Sequence, residues 1–280
     1  MSIIALSHVR PGVSARATPL TTARRGSRAV FGVAMAAFAL ENLVRLDGVP
    51  QLEPFPSWLG AHPALAVLSA IVLLGGAALI NVPRLASRGT LALAVLTSLW
   101  LVSLQAPLVI QQPKNGGLWV VFFEVCAIAA ACTFLAGRLL AQDEIFVGES
   151  GDTWRRVALF ARVAFGLSFI AFGISHFVYT GYVESVIPAW IPAHKFFAYF
   201  TGVAHIAAGA SLVTGIRVRL ATTLLAIMFA CWVLVLHVPR VAAARGDMNE
   251  WTSLIVALAM CGGAWLFAAE DRDDTMLRRG

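Results

Sequence analysis

The chain has 280 residues, of which 59% are hydrophobic and 13% charged, and its mean hydropathy is +0.79. Soluble domains carry roughly 25% charged residues, so this composition excludes an ordinary water-soluble globule and makes lipid the main solvent. The formal net charge of +6 does not point to nucleic acid, because the basic residues sit at the ends of apolar runs and form no aromatic-interleaved basic face.

Residues 1–28 are polar, with Pro11, Pro19 and five arginines. The run from Ile3 to Leu6 is too short for the apolar region of a signal peptide, so the segment reads as a disordered basic arm. Eight apolar stretches follow, at 29–45, 64–82, 90–110, 117–137, 157–178, 196–214, 220–238 and 251–268. Each approaches the 17–25 residues a helix needs to cross about 30 Å of hydrocarbon. The first, 29–45, is short enough that a surface-lying segment stays open beside a full span. With the N-terminus inside, 16 Lys and Arg fall on the cytoplasmic side and 5 on the other, which accounts for all 21. That asymmetry predicts an inner-membrane, multi-pass protein with both termini cytoplasmic.

An internal repeat is legible. RAVFGVAMAAFALENL from Arg28 lies over RVAFGLSFIAFGISHF from Arg162, and SWLGAH (57–62) over AWIPAH (189–194). Trp100 then pairs with Trp232, Gln105 with His237, Pro107 with Pro239 and Trp119 with Trp251. The expected fold is an all-α polytopic membrane protein with eight transmembrane helices arranged as two four-helix repeats. An even number of helices per copy makes the repeats parallel, related by an axis along the membrane normal. The repeats occupy 29–137 and 157–268, joined by a charged cytoplasmic linker at 138–156 and followed by a cytoplasmic tail at 269–280.

Between the fifth and sixth stretches lies the densest polar segment, GISHFVYTGYVESVIPAWIPAHKFF (173–197). Pro188 and Pro192 bracket Trp190 and stop a helix there. The second copy also keeps imidazoles where the first has other groups: His176 against Asn42, His205 against Leu73 and His237 against Gln105. An ionisable residue inside the membrane is a functional-site hypothesis by default. His176, His205 and His237 are therefore the candidate catalytic or proton-transfer groups, since an imidazole titrates near working pH. Tyr182, Glu184, Trp190 and His194 are candidate ligand-binding residues in the connector above them. Each has a plainer reading as well: a helix-bridging hydrogen bond for the intramembrane histidines, and interfacial anchoring for His62, His194 and their tryptophans. Arg28 and Arg162 most simply meet lipid phosphates. Glu41 and Glu124 call for a proton or a partner, such as Arg45 or Lys114.

The four cysteines sit inside apolar stretches with no C-x-x-C spacing, so neither a disulfide framework nor a metal site follows. Haem b is disfavoured, because the pattern holds no C-x-x-C-H and no second matched histidine pair. A quinone remains compatible with the three imidazoles.

The segment from Arg162 to Pro239 resembles the DoxX-like membrane protein family, through GISHF (173–177), IPAWIP (187–192), GVAHIAAGASLVTGIRVRLA (202–221) and LHVP (236–239). The resemblance implies a four-helix membrane unit and a redox-associated role, with a quinone-like ligand or a docked redox protein as partner. Where many members carry glutamate four residues before a glycine, this chain has His205 before Gly209, so no carboxylate-specific role carries over. The competing readings are a non-catalytic membrane scaffold that assembles or anchors a partner, with an oligomer open, and, further back, a small-solute transporter.

Overall fold

The computed structural model describes residues 21–143 and 149–270. Among the described residues there are nine helices and no strand. The eight long ones are α1 (Thr22–Arg45), α2 (His62–Leu79), α3 (Ala86–Gln111), α4 (Gly116–Leu140), α5 (Glu149–Val178), α7 (His194–Thr214), α8 (Val218–Ala243) and α9 (Met248–Glu270). The short α6 (Thr180–Val186) lies between α5 and α7. All eight long helices have the length and apolarity to cross a membrane. Helix is the form that leaves no backbone group without a partner in hydrocarbon.

The helix ends carry sequence signals. Thr21 caps α1 by accepting from the Arg24 N–H, and Asn115 caps α4 by accepting from Gly117 and Leu118. The α7–α8 turn needs two left-handed residues in three, Gly215 (φ 76°) and Arg217 (φ 52°). Glycine takes the first without penalty.

Helix α1 begins at Thr22, inside the expected polar arm; residues 1–20 of that arm lie outside the described residues. The expected linker is also largely helical, since α4 runs to Leu140 and α5 starts at Glu149. Its middle, 144–148, lies outside the described residues, as do residues 271–280 of the tail.

Helices α4 and α9 pack on each other at the centre. Helix α1 packs on α2 and α9, and α5 packs on α7 and α4. Helix α3 lies against α4 and α8 against α9. Phe165, Phe267 and Phe134 stack in sequence through the middle, with ring centroids 4.5 and 4.0 Å apart. Outward faces are apolar too: Leu68 and Ile71 on α2 and Phe196, Phe200 and Val203 on α7 are more than half exposed. Such surface is stable only against lipid or another apolar partner.

The elements recur at one spacing. Helices α2, α3 and α4 begin at residues 62, 86 and 116, and α7, α8 and α9 at 194, 218 and 248, a displacement of 132 each time (194 less 62, 218 less 86, 248 less 116). Both α3 and α8 contain a widened π-helical turn, Trp100–Gln105 and Val233–His237, just ahead of a proline. The cause is local. A proline has no N–H and its ring crowds the carbonyl one turn back, and the wider turn relieves both. Side-chain details recur as well. His62 and His194 each bond the carbonyl of a proline six residues earlier, Pro56 and Pro188, and the indoles of Trp119 and Trp251 donate to Pro113 and Arg245.

The expectation that Arg28 meets lipid phosphate is corrected. It is 2% exposed, and its guanidinium donates to Glu270 Oε1 at 2.6 and 3.2 Å, tying the first helix to the end of the last. Glu41 does take the expected Arg45, at 2.7 and 2.9 Å, and also accepts from the Thr252 hydroxyl.

Candidate ligand-binding site

A cavity of about 1460 Å³ runs along α7 and α8. Thr214 and Arg217 line one end, and Tyr182, Trp190 and His237 the other. It therefore follows nearly the whole of α7, whose 21 residues span roughly 30 Å at 1.5 Å per residue. Leu220, Leu224 and Ile227 line it while staying more than half exposed, so it opens sideways on the lipid-facing surface. Drug-sized ligands occupy roughly 300–1,000 Å³; this space suits something longer.

The opening exists because α7 holds tightly to α5 and only loosely to α8. A Cβ added at Gly166 would sit 2.8 Å from the Gly209 carbonyl oxygen, and one at Gly173 would sit 2.6 Å from that of Gly202. Glycine at these four positions lets α5 and α7 touch backbone to backbone. That draws α7 away from α8.

Partway along the cavity lies a ring cluster. His176 and His205 have centroids 4.9 Å apart, and Trp232 lies 6.0 Å from His176 and 5.5 Å from His205. Phe169 and Phe229 close the far side of His205, each at 5.7 Å. His176 Nδ1 is 2.9 Å from the Phe172 carbonyl. A carbonyl only accepts, so Nδ1 carries the hydrogen and Nε2 is left as a bare acceptor. His205 is 1% exposed. The Thr201 carbonyl one turn back lies nearby, but neither ring nitrogen meets hydrogen-bond geometry with it or with any other described residue. His237 Nδ1 is also buried and without a partner among the described residues. Beside it, Arg240 and Glu250 form a two-point ion pair at 2.7 and 2.8 Å.

The three sequence-derived histidines, with Tyr182 and Trp190, thus line one cavity. Glu184 and His194 line a smaller adjoining pocket of about 660 Å³, where His194 Nε2 is 3.2 Å from the Pro188 carbonyl. No group of three or more metal-ligating side chains exists among the described residues, and all four cysteines are free.

At the corresponding place in the first half, sequence reasoning missed a second polar cluster. There the α1–α2 connector turns into the bundle and buries Val49, Leu52 and Glu53. The Glu53 carboxyl accepts from Ser69 Oγ at 2.7 Å and from Asn42 Nδ2, and Trp100 lies within hydrogen-bonding reach. Gln105 donates to the Gln51 and Leu52 carbonyls, both at 3.1 Å. Gln51 in turn donates to Glu124 at 3.0 Å, and those two residues face the large cavity. Burial raises Glu53 from its usual 4.5 to about 7, against the pull of its hydrogen bonds. The available signal was an acid between Leu52 and Pro54, in a connector facing helices that carry Asn42 and Gln105.

Residues 165–261 match a family model described as Domain of unknown function (DUF8561). No curated protein and no solved structure matches the chain. The matched stretch holds most of the cavity wall, including His176, His205, Trp232 and His237. It is not the DoxX-like family, so that resemblance is overturned, and the redox role it implied loses its support. The residues that carried it explain why: Gly166, Gly173, Gly202 and Gly209 are packing contacts, and any close-packed membrane bundle can use glycine so.

Proposed function

We propose that this is an inner-membrane binding protein for a long lipophilic ligand with a small polar head, held in the α7–α8 cavity. The observation that carries the reading is His205: a fully buried imidazole with both nitrogens unsatisfied, on the wall of a large cavity open to lipid. A buried polar group without a partner costs about 1–3 kcal/mol, and a ligand that supplies the missing bond recovers it. In this reading His176, His205 and His237 orient the head, and Tyr182 and Trp190 close the rim. Quinone-like molecules belong to the ligand class.

The architecture behind the reading is two parallel four-helix units. The common 132-residue displacement supports it, as do the paired π turns and the matching contacts α1–α9 and α5–α4. The distribution of Lys and Arg supports cytoplasmic termini.

The test is mass spectrometry of organic extracts from protein purified in mild detergent. A single enriched lipophilic species, depleted by His205→Phe while the protein stays monodisperse, is the expected result. An extract indistinguishable from bulk membrane lipid in both proteins would remove the reading and leave a scaffold. Membrane-impermeant labelling of single cysteines placed in the α2–α3 and α3–α4 turns tests the orientation, the former being shielded in intact cells.

A further inference from the structure

The first half of the molecule contains a version of the cavity's polar centre that is filled by the chain itself, and the group that fills it indicates what the open version accepts. At the 132-residue displacement Ser69 corresponds to Thr201, Leu73 to His205, Trp100 to Trp232 and Gln105 to His237. Asn42 corresponds to His176 through the aligned first helices. In the first half, the residues at 42, 69 and 100 surround one carboxyl group, that of Glu53, and residue 105 holds two carbonyl oxygens just above it. Their counterparts in the second half all line the cavity. Among the described residues no carboxylate hydrogen-bonds to them there: Glu250, beside His237, is paired with Arg240, Glu124 on the cavity wall accepts from Gln51, and Pro188 and Pro192 lead the second connector across the rim.

Resting on the cavity reading above, we propose that the ligand is a long-chain carboxylic acid, its head among His176, His205 and Trp232 and its tail along α7 and α8. The donors and acceptors match. His176 Nε2 is a bare acceptor and takes the acid O–H. The indole N–H of Trp232 and the protonated nitrogen of a neutral His205 are donors for the carbonyl oxygen. A methyl ester has no proton for His176, and an alcohol has no carbonyl for the donors. The first-half pocket shows such a setting favouring the neutral acid, since Glu53 keeps its proton up to about 7. The tail then lies beside Leu220, Leu224 and Ile227, which face lipid already, and the side opening admits it from the bilayer.

Native mass spectrometry of the delipidated full chain decides this, with oleic acid, methyl oleate, oleyl alcohol and a decyl-substituted benzoquinone offered at equal concentration. One oleic acid is expected per chain, bound at least tenfold more tightly than the ester or the alcohol; Trp232→Phe should weaken it about tenfold, the loss of one good hydrogen bond. Ester or quinone binding as tightly as the acid would overturn the carboxylic acid while leaving the cavity reading standing. Failure of all four to bind would sink both. The comparison among ligands on the unaltered chain does not depend on any variant folding.

Discussion

The first half closes its own polar pocket with the connector between α1 and α2, where Leu52 and Glu53 are wholly buried. The second half sends the corresponding connector over the top as α6 and the IPAWIP turn, leaving a cavity of about 1460 Å³ beneath. The helices around the two places begin at matched positions and carry matched π turns. The difference lies in a few side chains and in the path of the connectors, 46–61 and 179–193. Helices that begin at matched positions thus surround a pocket filled by the chain in one half and an open cavity in the other. The first-half pocket takes its carboxyl from the chain itself, and in the proposed reading the second-half cavity takes its polar head from a ligand.

The largest way to break the comparison is at the helix ends. Arg28 has Glu270 as its buried partner, whereas the position corresponding to Glu270 in the other half is Arg138. Glu270→Gln leaves a buried guanidinium without its counter-charge, and thermal unfolding in detergent should show a loss of about 3–5 kcal/mol. Arg162→Gln, at the position corresponding to Arg28, should cost less than about 1 kcal/mol, since Arg162 has no carboxylate partner among the described residues. Equal losses would mean the clasp is not what separates the halves.

Next comes pH. Glu53 binds its proton more tightly folded, at about 7, than at its ordinary 4.5. The folded state then holds more protons between those values, so stability falls as pH rises from 4.5 to 7 and levels off above. By linkage the change is about 3 kcal/mol at most. Melting curves from pH 5 to 8 should show this slope, and Glu53→Gln should flatten it.

Smaller is the glycine contact. Gly209→Val pushes a branched side chain into the Gly166 backbone and Ile170, and overpacking of this kind costs about 1–3 kcal/mol. The same substitution at Ala77, the corresponding residue of α2, should be milder because a Cβ is already accommodated there. Paired denaturation measurements on the two variants check the difference.

The smallest effect has the opposite sign. His205→Leu installs the first-half residue, Leu73, and removes two unsatisfied nitrogens. The ligand-free protein should gain about 1 kcal/mol while losing the bound lipophile. A loss of stability instead would mean that His205 has a structural partner.

Much of the fold was legible because it rests on patterns of length and periodicity. Stretches of about 20 apolar residues become helices in lipid whatever their details, and the repeated Trp100/Trp232 and Pro107/Pro239 spacings returned as matched π turns. Which of the candidate residues share the cavity was not legible, because the packing of α5 on α7 decides it: His205 meets His176, while His194 lines the adjoining pocket. What remained hidden depended on the route of a connector. Nothing local in Gly48–Pro54 says that Glu53 turns inward, because the decision belongs to Asn42, Ser69 and Gln105 on three other helices. The fate of Arg28 was hidden likewise, its partner lying 242 residues away.

That pairing has a consequence in time. During synthesis α1 enters the bilayer long before the ribosome reaches Glu270, so Arg28 must wait, hydrated or held by a lipid headgroup, until α9 arrives. The first described helix is thus fastened by the last described residue. Assembly finishes with a latch, and the two halves produced as separate polypeptides would have to find each other before that arginine could settle.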